Sequence, residues 1–189
     1  AQQALQAPSP EEQRQELRTY GSASGGAAQA QAQTIYIDQL SAANGEGGRQ
    51  CFSATSTMLL NAYGVQMDYD QYNSLRGQFG DTTSPAAQTR ALQSLGLNAR
   101  VENNGSLSEI ASTITSTGKP VAIGIQHNRG SGHWILVTGV TPNGDFIVND
   151  PYGKLVQSRF GGWAYSNRGG QTGEGVIYSR DFLYSVFED

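Results

Sequence analysis

The stretch Gln50-Cys51-Phe52-Ser53-Ala54-Thr55-Ser56-Thr57-Met58-Leu59-Leu60-Asn61-Ala62-Tyr63-Gly64 decides the fold. Phe52, Thr55, Met58, Leu59 and Ala62 recur at spacings of three and four, the period of an amphipathic helix. Gly64 is placed to end that helix in a left-handed turn. The only cysteine of the chain therefore stands where the helix begins. First-turn N–H groups and the helix dipole favour a thiolate there, which makes Cys51 a candidate nucleophile. The rival reading is a buried, inert thiol, the commoner fate of a cysteine on such a helix.

Composition narrows the choices. The 189 residues suit one domain with a core of ordinary size. Hydrophobic residues make up 37% and charged residues 15%, with 24 glycines, so Gln, Ser, Thr and Asn supply much of the surface. That neutral, turn-rich surface favours a secreted or virion-associated location over a cytoplasmic one. A net charge of -4, without a Lys/Arg cluster, gives no support for a nucleic-acid partner. One cysteine excludes an internal disulfide and a Cys-rich zinc site. With 2 histidines and no HExxH spacing, neither a metal nor a cofactor is expected. No apolar run reaches transmembrane length, so membrane insertion is not expected. The N-terminus shows neither the basic nor the apolar region of a signal peptide.

Residues 1–33 read as an Ala/Gln/Gly-rich N-terminal extension, with a short helix over Pro10–Arg18 and a linker at Ala27–Gln33. The domain proper is expected to span residues 34–189 and to open with a strand over Thr34–Leu40. A loop at Ser41–Arg49 leads to Cys51. Tyr69, Tyr72, Leu75 and Phe79 suggest an irregular second helix within residues 65–82. Ser84 before Pro85 starts a third that runs to Leu95, and Leu97–Val101 is a candidate strand. Ser106-Leu107-Ser108-Glu109 is a capping box for a helix that Gly118 ends. Strands follow at Pro120–Ile125, His133–Val140 and Asp145–Asn149, the last two joined through Asn143-Gly144. Residues 153–175 form a Gly-rich excursion, Val176–Tyr178 is short, and Arg180–Phe187 is a final strand or helix. Helices first and an antiparallel sheet after make an α+β protein.

Attack on an amide by cysteine needs a thiolate, a base, an orienting group and donors for the oxyanion. His133 opens a strand after the Gly130-Ser131-Gly132 turn, and Asp150 ends the next strand of the same hairpin. Both fall at the hairpin's open end, where the carboxylate can hold the imidazole tautomer. Asp150 can equally serve the turn before Pro151. The N–H of Cys51 is one oxyanion donor, and the side chain of Gln39 or Gln50 is a second.

These residues together resemble a family. Cysteine at the head of the first core helix, Gly132-His133-Trp134-Ile135-Leu136-Val137 and Val148-Asn149-Asp150-Pro151-Tyr152-Gly153 are similar to C39-like cysteine peptidases of the papain superfold. The resemblance covers residues 34–155. It implies a papain-like fold, helices packed on a C-terminal antiparallel sheet, with Cys51 as nucleophile, His133 as base and Asp150 as orienting residue. It favours Gln39, on the loop before the nucleophile, as oxyanion donor. Gln-Cys-Phe-Ser departs from the Asp-Cys-Gly of the bacteriocin-processing branch, and no ATP-binding cassette or membrane region accompanies the domain, which therefore resembles a stand-alone member. Gln50, Gly132 and Trp134 beside the triad, and Trp163 and Tyr165 in the glycine-rich excursion, are the candidate substrate-binding residues. The expected partner is a peptide or protein, a Gly-rich precursor first, with peptidoglycan stem peptide as the alternative. A non-catalytic module of the same fold and an acyl transferase are the competing readings.

Overall fold

The structure is a computed structural model and describes residues 30–128, 131–159 and 162–187. The helix expected at Pro10–Arg18 lies outside these residues. Strand β1 is Ala30–Gln31, helix α1 Cys51–Ala62, α2 Tyr69–Gly77, α3 Pro85–Ser94 and α4 Leu107–Thr117. Then come β2 Val121–Asn128, β3 Ser131–Val140, β4 Phe146–Asn149, β5 Leu155–Gln157, β6 Trp163–Tyr165, β7 Val176–Tyr178 and α5 Arg180–Val186. The arrangement is α+β and papain-like, with the helices leading and an antiparallel sheet following.

Local chemistry sets the helix boundaries. Ser84 caps α3 through the Ala87 N–H, with Pro85 at the first helical position, where a missing N–H costs nothing. Ser106 and Glu109 complete both halves of the capping box on α4, and Gly118 closes it at φ 65°. Asp68 and Gln71 form a second box on α2. Helix α1 differs: Gln50 gives its N-terminus no side-chain cap.

Burial of α1 runs wider than the expected stripe. Ser53, Ala54, Ser56, Thr57 and Leu60 are buried along with Phe52, Thr55 and Met58, while Leu59 and Ala62 are half-exposed. The helix lies between two apolar clusters and has little solvent face. On one side Leu60 joins Tyr72, Ala91, Leu92 and Leu97. On the other, α1 meets β3, where Phe52 stacks on Trp134 with ring centroids 3.7 Å apart. The hydroxyls of Ser53, Thr55 and Thr57 find partners in this sandwich, as most buried polar groups do, whereas Ser56 Oγ has none. Thr55 donates to the Trp134 carbonyl at 3.0 Å, and Gln88 Nε2 donates to Ser53 Oγ at 2.8 Å.

A five-stranded sheet runs in the order β1-β3-β4-β7, with β2 also on β3. Ile123, Ile125, Ile135, Val137, Phe146 and Val148 build its core with Ile110 and Ile114 of α4 and Phe182 and Leu183 of α5. Between β3 and β4 the register slips at Thr138: Val140 faces Phe146, yet Val137 faces Val148. One extra residue changes which face the following side chains occupy. Continued past Asn149, which pairs with Leu136, the shifted register sets Asp150 against Ile135 and so on the face of His133. Without the bulge Asp150 would share the face of Trp134.

Several expectations need correction. No strand covers Thr34–Leu40; residues 34–38 form an irregular strap, and Gln39–Ser41 is a 3-10 turn. The β-branched and aromatic residues there bond through side chains instead of a ladder: Asn149 Nδ2 donates to Thr34 Oγ1 at 2.8 Å and Tyr36 donates to the Asp150 carbonyl at 2.7 Å. The edge pairing belongs to Ala30 and Gln31, opposite Val140 and Gly139. Residues 97–101 form no strand; Arg100 pairs locally with Glu102, and Val101 is exposed. The Gly-rich excursion contains the β5–β6 hairpin, a small sheet of its own. Residues 180–186 resolve as helix. In the β3–β4 turn only Gly144 takes a positive φ, with its N–H on the Thr141 carbonyl at 2.9 Å.

Candidate active site

Cys51 is partly exposed at the uncapped start of α1, and His133 lies near the start of β3. The Phe52–Trp134 stack and the Thr55–Trp134 bond bring these two element ends together. His133 Nε2 is 2.8 Å from Asp150 Oδ1. Its Nδ1 is the nitrogen that remains to meet the thiol, and a hydrogen bond and charge interaction join His133 to Cys51.

The electrostatics follow from that contact. Burial alone would push the Cys51 thiol up, but the hydrogen bond and positive charge of His133, with the Trp134 and Phe52 amides, bring it below the ordinary thiol value. Burial likewise opposes an imidazolium at His133, which is 6% exposed. The charge and hydrogen bond of Asp150, followed by those of Cys51, outweigh it and push His133 up to about 10. Each group is a cause of the other's shift, so Cys51 and His133 titrate as a coupled pair rather than as two independent groups.

Asp150 is 0% exposed, so its charge needs full pairing. Oδ1 also accepts the Tyr152 N–H at 3.0 Å. Oδ2 accepts the Tyr178 hydroxyl at 2.7 Å and lies 3.5 Å from that of Tyr165. The backbone of Asp150 is pinned as well: its N–H donates to the Gly173 carbonyl at 2.9 Å. A side chain at Gly173 would overlap the Asp150 carbonyl oxygen, so only glycine permits this approach.

Gln39 is tied to the same turn, its N–H donating to the Pro151 carbonyl at 2.9 Å. Its Nε2 donates to the Gly47 carbonyl at 2.8 Å, which leaves a second hydrogen on that nitrogen; its Oε1 is buried without a partner. The Tyr69 hydroxyl bridges the Gln39 carbonyl at 3.1 Å and Gln50 Oε1 at 3.2 Å, which brings Gln39 alongside the residue before Cys51.

The expected substrate contacts fare unevenly. Gln50 is fully buried, its Oε1 accepting from Asn73 at 2.8 Å as well as from Tyr69, so it faces the helical core. Gly132 is exposed beside His133 and pairs with Gln126 across β2. Trp134 is half-buried beneath Phe52. Trp163 packs on Phe182, centroids 4.0 Å apart. Tyr165 sets its ring edge-on to His133 at 5.8 Å and Tyr152 does so at 6.4 Å, so both shield the imidazole from water. Tyr152, Tyr178 and Gly173 escaped the sequence reading. Tyr152 follows Asp150-Pro151 directly and was findable there, whereas Tyr178 comes from a distant strand with no local signal.

Among the described residues no group of three or more His, Cys, Asp and Glu side chains could hold a metal, and no helix is long and apolar enough to cross a membrane. The family model described as Peptidase_C39 like family matches residues 29–172. No curated protein matches the chain.

Proposed function

Because the chain belongs to the Peptidase_C39 like family, which supports a general peptidase role, we propose that it is a cysteine peptidase acting through Cys51, His133 and Asp150. The observation that carries this reading is the 2.8 Å contact of His133 Nε2 with a fully buried Asp150, while the thiol interacts with the same imidazole. The Cys51 thiolate attacks the substrate carbonyl carbon and forms a tetrahedral oxyanion. The Cys51 N–H and the second hydrogen of Gln39 Nε2 stabilise that charge. His133 passes its proton to the leaving amine as the C–N bond breaks, which leaves a thioester. Water, deprotonated by His133, attacks the thioester, and the acid product departs as the thiol is restored. Asp150 holds the imidazole through both steps.

The substrate in this reading is a peptide or protein with small residues at the cleaved bond. The net charge of -4 favours it over an anionic cell wall. The test incubates the protein with a Gly-rich peptide library and, separately, with purified peptidoglycan, with and without an added amine. Library products formed by water support the peptidase. Release of wall fragments alone would move the substrate to peptidoglycan, amine adducts would make the protein a transferase, and inert arms throughout would favour a binding module.

Gln39→Ala separates oxyanion stabilisation from thiol activation. It is expected to lower kcat by about 10²–10³ while leaving the rate of Cys51 alkylation unchanged, since alkylation forms no oxyanion. Equal loss in both assays would assign Gln39 to structure instead.

A further inference from the structure

The carboxylate of Asp150 has two oxygens, and the reaction above uses only Oδ1. Oδ2 is held by hydroxyls from distant parts of the chain: Tyr178 of β7 at 2.7 Å and Tyr165 of β6 at 3.5 Å. The Tyr178 oxygen accepts the Leu155 N–H at 2.9 Å, which orients it. Its single proton then has two acceptors in reach, the charged Oδ2 at 2.7 Å and the Gly153 carbonyl at 3.4 Å. The shorter, charge-assisted bond takes it. Tyr178 is 1% exposed, so water does not compete.

Resting on the cysteine-peptidase reading, we infer that Tyr178, seconded by Tyr165, is a positioning residue that grips Asp150 Oδ2 and thereby delivers Oδ1 to His133. A carboxylate bonded at both oxygens cannot turn about its Cβ–Cγ bond without breaking a contact. The hydroxyls also take a share of the carboxylate charge and so temper its hold on the imidazolium. Both phenols are pushed above the ordinary tyrosine value, by burial first and by Asp150 next, and stay protonated donors across the working range. The other groups facing the cluster are Cys51 from α1, Tyr36 from the strap and Tyr152 from the turn. Asp38 and Glu174 act on Tyr36, and Arg168 lies over the Tyr152 ring.

The test follows the rate of Cys51 modification by iodoacetate against pH, in wild type, Tyr178→Phe, Tyr165→Phe and the exposed control Tyr184→Phe. An anionic reagent is drawn to the imidazolium, so its rate falls on the alkaline side as His133 loses its proton. In Tyr178→Phe the Tyr152 N–H and Tyr165 still keep Oδ1 within reach of His133, while the Asp150 charge is less shared and holds that proton more tightly. The alkaline limb is expected to move up by about half a pH unit or more. Tyr165→Phe should move it the same way by less, in keeping with its longer contact, and Tyr184→Phe should leave it in place. Unmoved limbs in Tyr178→Phe and Tyr165→Phe overturn the inference, even if Tyr178→Phe melts at a lower temperature for want of a partner to Leu155. If Tyr178→Phe does not fold, the limb of Tyr165→Phe decides. A wild type with no alkaline limb at all sinks the Cys51–His133 reading itself and this inference with it.

Discussion

Asp150→Ala is expected to lower the hydrolysis rate by about 10⁴ and to cost about 3–5 kcal/mol of stability. The rate term reflects what the imidazole loses. Without Oδ1 the His133 ring has no partner to fix which nitrogen carries the proton, and the ion pair with Cys51 loses its main support. The stability term reflects what is left behind. His133, the Tyr152 N–H and the hydroxyls of Tyr178 and Tyr165 converge on a carboxylate shut off from solvent. Removing the acceptor strands these donors in a dry site, where each unpaired group is expensive. Asp150→Asn should recover part of the stability through its carbonyl oxygen while staying slow, because its NH₂ faces groups that also donate. Denaturant melts and steady-state rates on the two variants check this. An alanine variant as stable as wild type would contradict the buried-charge account.

Cys51→Ala is expected to remove hydrolysis to background, a loss on the order of 10⁶, with the fold intact. No other thiol exists in the chain to substitute. Alanine is the best helix former, and the thiol's contacts with His133 and the Phe52 and Trp134 amides are the only bonds lost, so stability should stay within about 1 kcal/mol of wild type. The variant should also release His133 downward, since hydrogen bonding and charge from Cys51 help to hold it protonated. NMR titration of the imidazole alongside the hydrolysis assay would read both effects. Residual turnover in Cys51→Ala would mean that some other group performs the chemistry.

What could be read ahead of the structure was local. The Ser84-Pro85 and Ser106/Glu109 helix starts, the Gly144 turn and the stretch beginning at Cys51 are governed by residues a few positions apart, and sequence displays such neighbours directly. The placement of His133 and Asp150 at one end of a hairpin was legible for the same reason. That they also share a face depends on the Thr138 bulge, which no residue type announces; Thr138 Oγ1 bonds the Ile147 carbonyl across the strands at 3.2 Å. Thr34–Leu40 looked like a strand because its side chains suit one, yet their partners are an asparagine and a carbonyl on the Asp150 turn. Gln50 looked available beside Cys51, but the first turn of the helix aims it at Tyr69 and Asn73. Tyr178 reaches Asp150 from 28 positions away, and only the paired β4 and β7 strands bring it there.

The central claim is that Cys51 and His133 form a thiolate–imidazolium pair. Its most direct test is the pH dependence of Cys51 alkylation by iodoacetamide in wild type and in His133→Ala. A thiol held down by its partner and an imidazole held up to about 10 keep the pair ionised from below the ordinary thiol range to the alkaline side. Wild type should therefore react rapidly at neutral pH and lose rate only in acid. His133→Ala should react at least about tenfold more slowly at neutral pH and titrate no lower than the ordinary thiol value near 8.5, because burial then acts without the imidazolium. Coincident profiles for the two proteins, both with that ordinary midpoint, would contradict the ion pair and the catalytic reading built on it.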